Sequence, residues 1–496
     1  VTDQLRVLVC TPEAVPFAKT GGLADVAAAL PQALAEAGCD VRVVMPAYRT
    51  VDTSRFGFRP AGEASVRLGS DQTRVGFWQG HFPGSAVPVY LIDHPPSFDR
   101  DGLYGERGAD YEDNLERFTV FGRGILALVE RGGWSPHVLH CQDWQTALLP
   151  VWLRAEPRPA GLLETATLLT IHNLAYQGLF PAERLAVTGL SRDLFTPQGL
   201  EFYGKINLLK GGIIFADLVS TVSEQYAREI QTPEFGCGLD GVLRDRARDL
   251  IGILNGVDYT VWDPAVDPHI PARYTARDLS GKRICKETLQ RDLGLDPDAE
   301  IPLLGMISRL VDQKGLDLVA ATLEIIVGLD AEFVLLGTGE PRYHDLFSGL
   351  HARYPTRVAV TLGFDEVLAH RIEAGADIFL MPSRFEPSGL NQLYSMRYGT
   401  LPVVRRTGGL ADTVVDATSE AVARGVATGF VFDAYTPDAF LQAVKRALWA
   451  YRDRELWQRL QVTAMGQDFS WRRSASRYIE AYRRAMAVQR ERAAHR

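Results

Sequence analysis

The sequence predicts an α/β protein made of two successive domains with parallel sheets. Short apolar runs rich in β-branched residues alternate with helical runs in both halves, which is the pattern of βαβ units. A chain of 496 residues also exceeds what one hydrophobic core ordinarily serves. Three of the strand-like runs end in loops that combine glycine with acid or cation before a helical run begins, and the carboxyl edge of a parallel sheet is where ligands sit.

In the first half, strands are expected at residues 5–10, 41–45, 87–92, 138–141, 167–171 and 218–221. In the second they are expected at 250–254, 302–307, 332–336, 357–362, 377–381 and 401–404. Asn255-Gly256-Val257-Asp258 and the Pro264 stretch punctuate the chain, so a hinge is expected at 255–264. The first domain then spans 1–254 and the second 265–470, with a cleft expected where the halves face each other.

The first loop follows strand 5–10 and runs into Lys19-Thr20-Gly21-Gly22-Leu23-Ala24-Asp25, after which residues 23–37 are helical. Gly21 and Gly22 let the backbone approach a ligand, the first helical turn offers unpaired N–H groups, and Lys19 adds a positive charge. The second loop, 308–315, sets Arg309 and Lys314 at the end of strand 302–307, ahead of a helix at 316–329. Arg clamps phosphate in fork geometry and Lys acts as a point charge. The third, 382–393, sets Glu386 and the amides of Ser388, Gly389 and Leu390 between strand and helix. Each loop taken alone is equally an ordinary strand-to-helix turn with solvated charges.

Composition narrows the class. With 46% apolar and 23% charged residues the chain is globular, and a net charge of −8 disfavours nucleic acid and anionic membranes as partners. Five cysteines, odd in number, scattered and without a Cys-x-x-Cys pair, suit a reducing compartment. No apolar run approaches the roughly 18 residues of a membrane helix, and the start lacks a signal peptide's basic head and long apolar core, so a cytoplasmic protein is expected. Gly337-Thr338-Gly339 invites a nicotinamide fingerprint, but Arg342 stands where its third glycine belongs. Asp296-Pro297-Asp298 has the acid spacing of a metal-dependent sugar transferase yet sits among turn residues. No metal and no cofactor is expected.

Six blocks carry a family resemblance. They are Lys19 to Val26, Ile171-His172-Asn173-Leu174-Ala175-Tyr176-Gln177-Gly178, Ile253 to Asp258, Arg309 to Gly315, Arg384 to Leu390 and Arg406-Thr407-Gly408-Gly409-Leu410-Ala411-Asp412-Thr413. In this order they resemble bacterial glycogen synthases and plant starch synthases across nearly the whole chain. The resemblance implies two Rossmann-like domains facing a central cleft, the GT-B architecture, and a last helix, 471–496, that packs back on the first domain. It implies a retaining transferase moving glucose from ADP-glucose to the nonreducing-end 4-hydroxyl of an α-1,4-glucan.

It also implies residue roles. His172, Asp143 and Glu386 fall in glucose recognition and catalysis, with a main-chain carbonyl at His172 facing the sugar carbon and Glu386 orienting hydroxyls and balancing positive charge. Arg309 and Lys314 take the leaving phosphate, and at about 4 Å and an effective dielectric near 20 each such pair interacts by roughly 4 kcal/mol before desolvation. Lys19, Gly21, Gly22, Asp25, Asn173, Phe364, Ser388, Gly389, Leu390 and Thr407 fall on the donor, Phe364 stacking where a tyrosine often meets adenine. Tyr111, Asn114 and Tyr176 fall on the acceptor.

Some positions depart from the family. In His140-Cys141-Gln142-Asp143-Trp144-Gln145 two glutamines replace histidines, which removes a proton shuttle there and leaves Asp143 as the acid. Ser388 replaces a cysteine. A relative using a UDP-sugar or another acceptor, or a noncatalytic glucan-binding scaffold, are the competing readings. Retention of Lys19, Arg309, Lys314 and Glu386 speaks against the scaffold.

Overall fold

The computed structural model describes residues 4–106 and 108–494. The ends of the two expected terminal segments, residues 1–3 and 495–496, lie outside the described residues, as does residue 107.

Contacts divide the chain into two units, one of Val1–Gly256 with Trp471–Arg496 and one of Val257–Ser470. Each has its own core. The first is built on a nine-stranded sheet: β1 (Arg6–Cys10), β2 (Asp40–Pro46), β3 (Arg59–Leu68), β4 (Asp71–His81), β5 (Pro88–Asp93), β6 (Val138–Gln142), β7 (Ala166–Ile171), β8 (Leu218–Thr221) and β9 (Leu250–Gly252). Their order across the sheet is β9-β8-β7-β6-β1-β2-β5-β4-β3. All pairings are parallel except those of β4 with β5 and β3. The central strands β1, β6 and β7 are buried on both faces, which is why they read as continuous apolar runs.

The hairpin β3-β4 is absent from the expected strands. It forms the sheet's edge and most of β3 is exposed, so no apolar run marks it. The expected strand at 250–254, grouped with the second half's strands although inside the 1–254 boundary, forms over Leu250–Gly252 as β9 and pairs with β8 in register Val219 to Leu250, in the first sheet.

The second unit holds six strands, β10 (Leu303–Ile307), β11 (Glu332–Gly337), β12 (Val358–Leu362), β13 (Ile378–Met381), β14 (Leu401–Arg405) and β15 (Phe430–Phe432). All are parallel, in the order β12-β11-β10-β13-β14-β15, the arrangement of nucleotide-binding α/β folds. Both sheets reverse direction of growth at their first strand. In the first unit that point lies between β1 and β6, and in the second between β10 and β13.

The expected linker at 255–264 is largely packed. From Val257 onward it belongs to the second unit, where the Trp262 ring lies parallel between His370 at 3.8 Å and Tyr394 at 4.1 Å. The chain returns to the first unit as α5 (Trp471–Ala494). Four other helices matter below: α1 (Gly22–Glu36), α2 (Asn114–Arg131), α3 (Leu316–Gly328) and α4 (Asn391–Arg397).

Helix α5 buries Trp471, Ala475, Tyr478, Tyr482, Ala485 and Gln489, one stripe at helical spacing, and turns its arginines outward. It packs on α1 and β7. The Tyr482 hydroxyl and His140 Nδ1 are 2.9 Å apart, and His140 Nε2 meets Thr170 Oγ1 at 2.7 Å. Among the described residues no helix is long and apolar enough to cross a membrane.

Tyr482→Phe leaves a buried ring nitrogen of His140 without its partner. The expected loss is about 1–3 kcal/mol, read as a lower urea midpoint for the first unit, whereas an unchanged midpoint would deny this bond a part in anchoring α5.

Candidate active site

The sequence-predicted residues gather into two clusters, one at the strand reversal of each sheet. In the first unit the loop after β1 carries Lys19 to Gly22, the turn after β6 carries Asp143, and the turn after β7 carries His172 and Asn173.

Asp143 has φ 54° and ψ −168°, a region costly for any residue with a side chain, of order 1–3 kcal/mol. Two bonds hold it there. Its own N–H donates to Thr170 O at 2.9 Å, and its Oδ1 accepts the His172 backbone N–H at 2.7 Å. Burial pushes the carboxyl up to about 7, and the nearby Glu13 carboxylate adds to the push, while the N–H groups of His172 and Asn173 hold it down. In the structure this carboxyl holds the His172 turn.

His172 is a neutral imidazole. Burial lowers it to about 3, and its Nε2 lies 2.6 Å from Gln142 Oε1. Gln142, standing where the family has histidine, fixes the ring without titrating, and its Nε2 is buried without a partner. Asn173 turns its Oδ1 to the Ala175 N–H at 3.0 Å, a local turn that the sequence assignment to the donor did not include.

Lys19 is exposed and its Nζ lies 2.8 Å from Asp25 Oδ1, so its charge is paired within the loop. Gly21 caps α1 at φ −156°, and a Cβ there would meet nothing within 4 Å. Its missing side chain answers no packing need and leaves open space above the loop. The amides expected to be unpaired are partly taken: Thr20 N–H donates to Glu13, a residue the sequence analysis missed.

The acceptor candidates separate. Tyr176 is 54% exposed and faces solvent. Tyr111 lies between the Arg100 and Arg117 guanidinium groups, at 4.9 and 4.8 Å from its ring, and its hydroxyl accepts the Gly102 N–H. Asn114 is only 2% exposed; it donates to Tyr104 O and accepts from Arg117. Arg117, fully buried, also binds the carbonyls of Ser97 and Leu103 and so fixes this whole segment.

In the second unit, Lys314 Nζ and Glu386 Oε2 pair at 2.7 Å. Glu386 is 6% exposed and also accepts from Ser383 Oγ at 2.9 Å. The residues that the sequence assigned to opposite ends of a breaking bond are therefore partners here. Arg309, on the same edge after β10, is exposed, and among the described residues its guanidinium has no partner.

Ser388 is buried with Oγ unpartnered, Gly389 follows it at φ +67°, and Leu390 caps the short helix α4. Thr407 is buried at the start of a helical turn, Gly408–Thr413. Gly408 has φ +44° and a Cβ there would lie 1.9 Å from Glu386 O; the Gly409 N–H donates to that same oxygen at 3.0 Å. This second glycine pair lets its backbone abut and hold the Glu386 loop. Phe364 is 82% exposed in the loop after β12, a flat apolar ring open to solvent. Among the described residues no group of three or more His, Cys, Asp or Glu could hold a metal ion.

Residues 6–245 match the starch synthase catalytic domain family, and residues 287–460 match the family of group 1 glycosyl transferases. The chain is 50% identical over 490 residues to a glycogen synthase of Syntrophotalea carbinolica, covering 98% of this chain and 99% of that one. A glycogen synthase of Anaeromyxobacter dehalogenans is 51% identical over 481 residues, 97% and 99% of the two chains. The solved catalytic domain of starch synthase IV from Arabidopsis thaliana, bound to ADP and acarbose, matches with a TM-score of 0.90 at 36% identity over 98% of this chain and all of that one. Sucrose-phosphate synthase from Thermosynechococcus elongatus, at 17% identity and a TM-score of 0.61 over 98% of this chain and all of that one, shares the fold alone. Two α/β units with parallel sheets, a starch synthase domain over the first and half of all residues shared with glycogen synthases end to end mean that the chain belongs to the glycogen and starch synthase family of glucosyltransferases.

Proposed function

We propose that the chain transfers glucose from ADP-glucose to the nonreducing-end 4-hydroxyl of an α-1,4-glucan, with retention of anomeric configuration and without a metal. The observation that carries this is the strand-end constellation of the second unit, a buried Glu386 holding the Lys314 ammonium beside the unpartnered Arg309. Breaking a glucosyl–phosphate bond builds negative charge on the departing oxygen and positive charge on the sugar carbon, and both need groups already in place. Lys314 is fixed before substrate arrives and Arg309 is uncommitted, so two cations are ready for a diphosphate.

Glu386 keeps the negative charge that suits a sugar whose carbon turns positive, and its buried carboxylate, bonded to Ser383 and Lys314, orients hydroxyls rather than attacking. In the first unit the Asp143 carboxylate accepts the His172 backbone N–H at 2.7 Å and so fixes the His172 turn. Burial keeps His172 neutral, so its ring takes up no proton near pH 7; the acceptor's proton leaves with the departing phosphate, and attack from the face that the phosphate leaves preserves configuration. Phe364 offers its ring to adenine. A relative solved with ADP supports an adenine nucleotide as leaving group, and glycogen synthase relatives support the glucan. Five free thiols suit the reducing cytoplasm.

The deciding assay is glucose incorporation into glycogen or maltooligosaccharide with ADP-glucose and UDP-glucose in parallel, each with and without chelator. Turnover with ADP-glucose that survives chelation is expected; preference for UDP-glucose overturns the donor, and no transfer from either overturns the activity. Arg309→Ala or Lys314→Ala is expected to lower kcat by about 10²–10³-fold, as loss of a preorganised transition-state donor does. Wild-type rates in both would end the phosphate assignment. Glu386→Gln preserves volume while deleting charge; a large fall in kcat with near-native thermal unfolding is expected, and a fall in stability without a kinetic change would reduce Glu386 to a packing residue.

A further inference from the structure

The loop after β1 is organised by an acid that no sequence motif marked. Glu13 is 3% exposed. Its Oε2 accepts the Thr20 backbone N–H and, at 2.9 Å, the Thr20 hydroxyl. The residue's own backbone is pinned in turn, since Glu13 O accepts Thr11 Oγ1 at 2.7 Å while Val15 N–H donates to Ala24 O in α1. The loop from Glu13 to Thr20 is thereby closed into one turn that leads into Gly21 and Gly22. The Thr20 amide is thereby committed within the loop, while the space at Gly21 stays open.

We infer that Glu13 is a positioning residue of this enzyme, fixing the Thr20–Gly21 backbone so that the Lys19–Gly22 segment meets the donor in one preset conformation. The inference rests on the proposed donor chemistry for its kinetic part only. Glu13 mirrors Asp143: each is a buried carboxylate on a neighbouring strand end at the sheet's reversal, and each holds a backbone N–H of a different ligand-facing turn. Such a group is retained against stability. Burial pushes Glu13 up to about 7 from the ordinary 4.5, with Asp25 adding to the push and the Thr20 and Gly21 bonds opposing it. The groups facing it are Tyr48, Tyr104, Asp143 and the Asp25–Lys19 pair. With its folded value above its unfolded one, its contribution to stability is fully present below about 4.5 and is lost as pH rises through about 7.

The test uses Glu13→Ala, which removes both acceptor oxygens, and Glu13→Gln, which keeps one oxygen and removes the charge. Amide hydrogen exchange of residues 19–23, measured in the full chain without ligand, is expected to quicken at least 10-fold in Glu13→Ala and less in Glu13→Gln. The donor KM is expected to rise in the same order, about 10-fold or more for Ala, with a smaller change in kcat. The melting temperature of Glu13→Gln is expected to gain on wild type as pH rises from about 4.5 to about 7 and to hold that gain above it. Unchanged exchange in Glu13→Ala, or faster exchange with an unchanged donor KM, overturns the positioning role. Lower melting temperatures for both variants at every pH with wild-type kinetic constants would do the same, because that is how a purely structural acid behaves. If wild type transfers no glucose from ADP-glucose, the donor reading falls while the exchange result still decides whether Glu13 orders the loop.

Discussion

A parallel sheet sends every strand's carboxyl end to one edge, and only where the strand order reverses do the loops diverge and leave a crevice. Each unit of this chain has one such place, between β1 and β6 and between β10 and β13. Every residue given a chemical role, apart from Phe364, Thr407 and the acceptor candidates, lies on a loop at or beside one of these two reversals. The sheets set the position of the groups; the loops supply the chemistry.

The two reversals are furnished differently. In the second unit the buried acid has a cation, Lys314, and the pair is a fixed element of charge beside Arg309. In the first unit the buried acids Glu13 and Asp143 have backbone N–H groups in place of cations, and burial raises both to about 7. Neutral donors compensate a buried carboxylate less well than an ammonium does. The first unit therefore spends stability on holding two turns still, and adds the unfavourable backbone of Asp143. Strain and half-compensated charge concentrated on one edge are what a preorganised site looks like in energetic terms.

The path of the chain matters to the first unit as well. Its core is closed by α5, more than 200 residues after the rest of its fold ends, and the Tyr482–His140–Thr170 bonds tie that helix to β6 and β7, the strands that end at Asp143 and His172. Thr170 in turn meets Ser220 on β8 at 2.7 Å, so a continuous polar chain underlies the strands that present the site. The last segment of sequence thus stabilises the platform of the first half's chemistry.

Much was legible without the structure. Central parallel strands are buried on both faces, so continuous apolar runs such as 167–171 and 378–381 announce them, and the glycine-bearing loops between strand and helix announce the carboxyl edge. The exposed hairpin β3-β4 and the sheet membership of residues 250–252 were not legible, because an edge strand buries too little to shape its sequence and a strand's partners lie far away in the chain. The same holds within the site. Residue types at strand ends named Arg309, Lys314 and Glu386, and the family resemblance named Asp143 and His172. That Lys314 pairs with Glu386, that Asp143 holds the His172 amide, that Asn114 bonds to Tyr104 and Arg117 and Glu13 organises, only the tertiary structure decided, because burial and hydrogen-bond direction arise between segments that folding alone brings together.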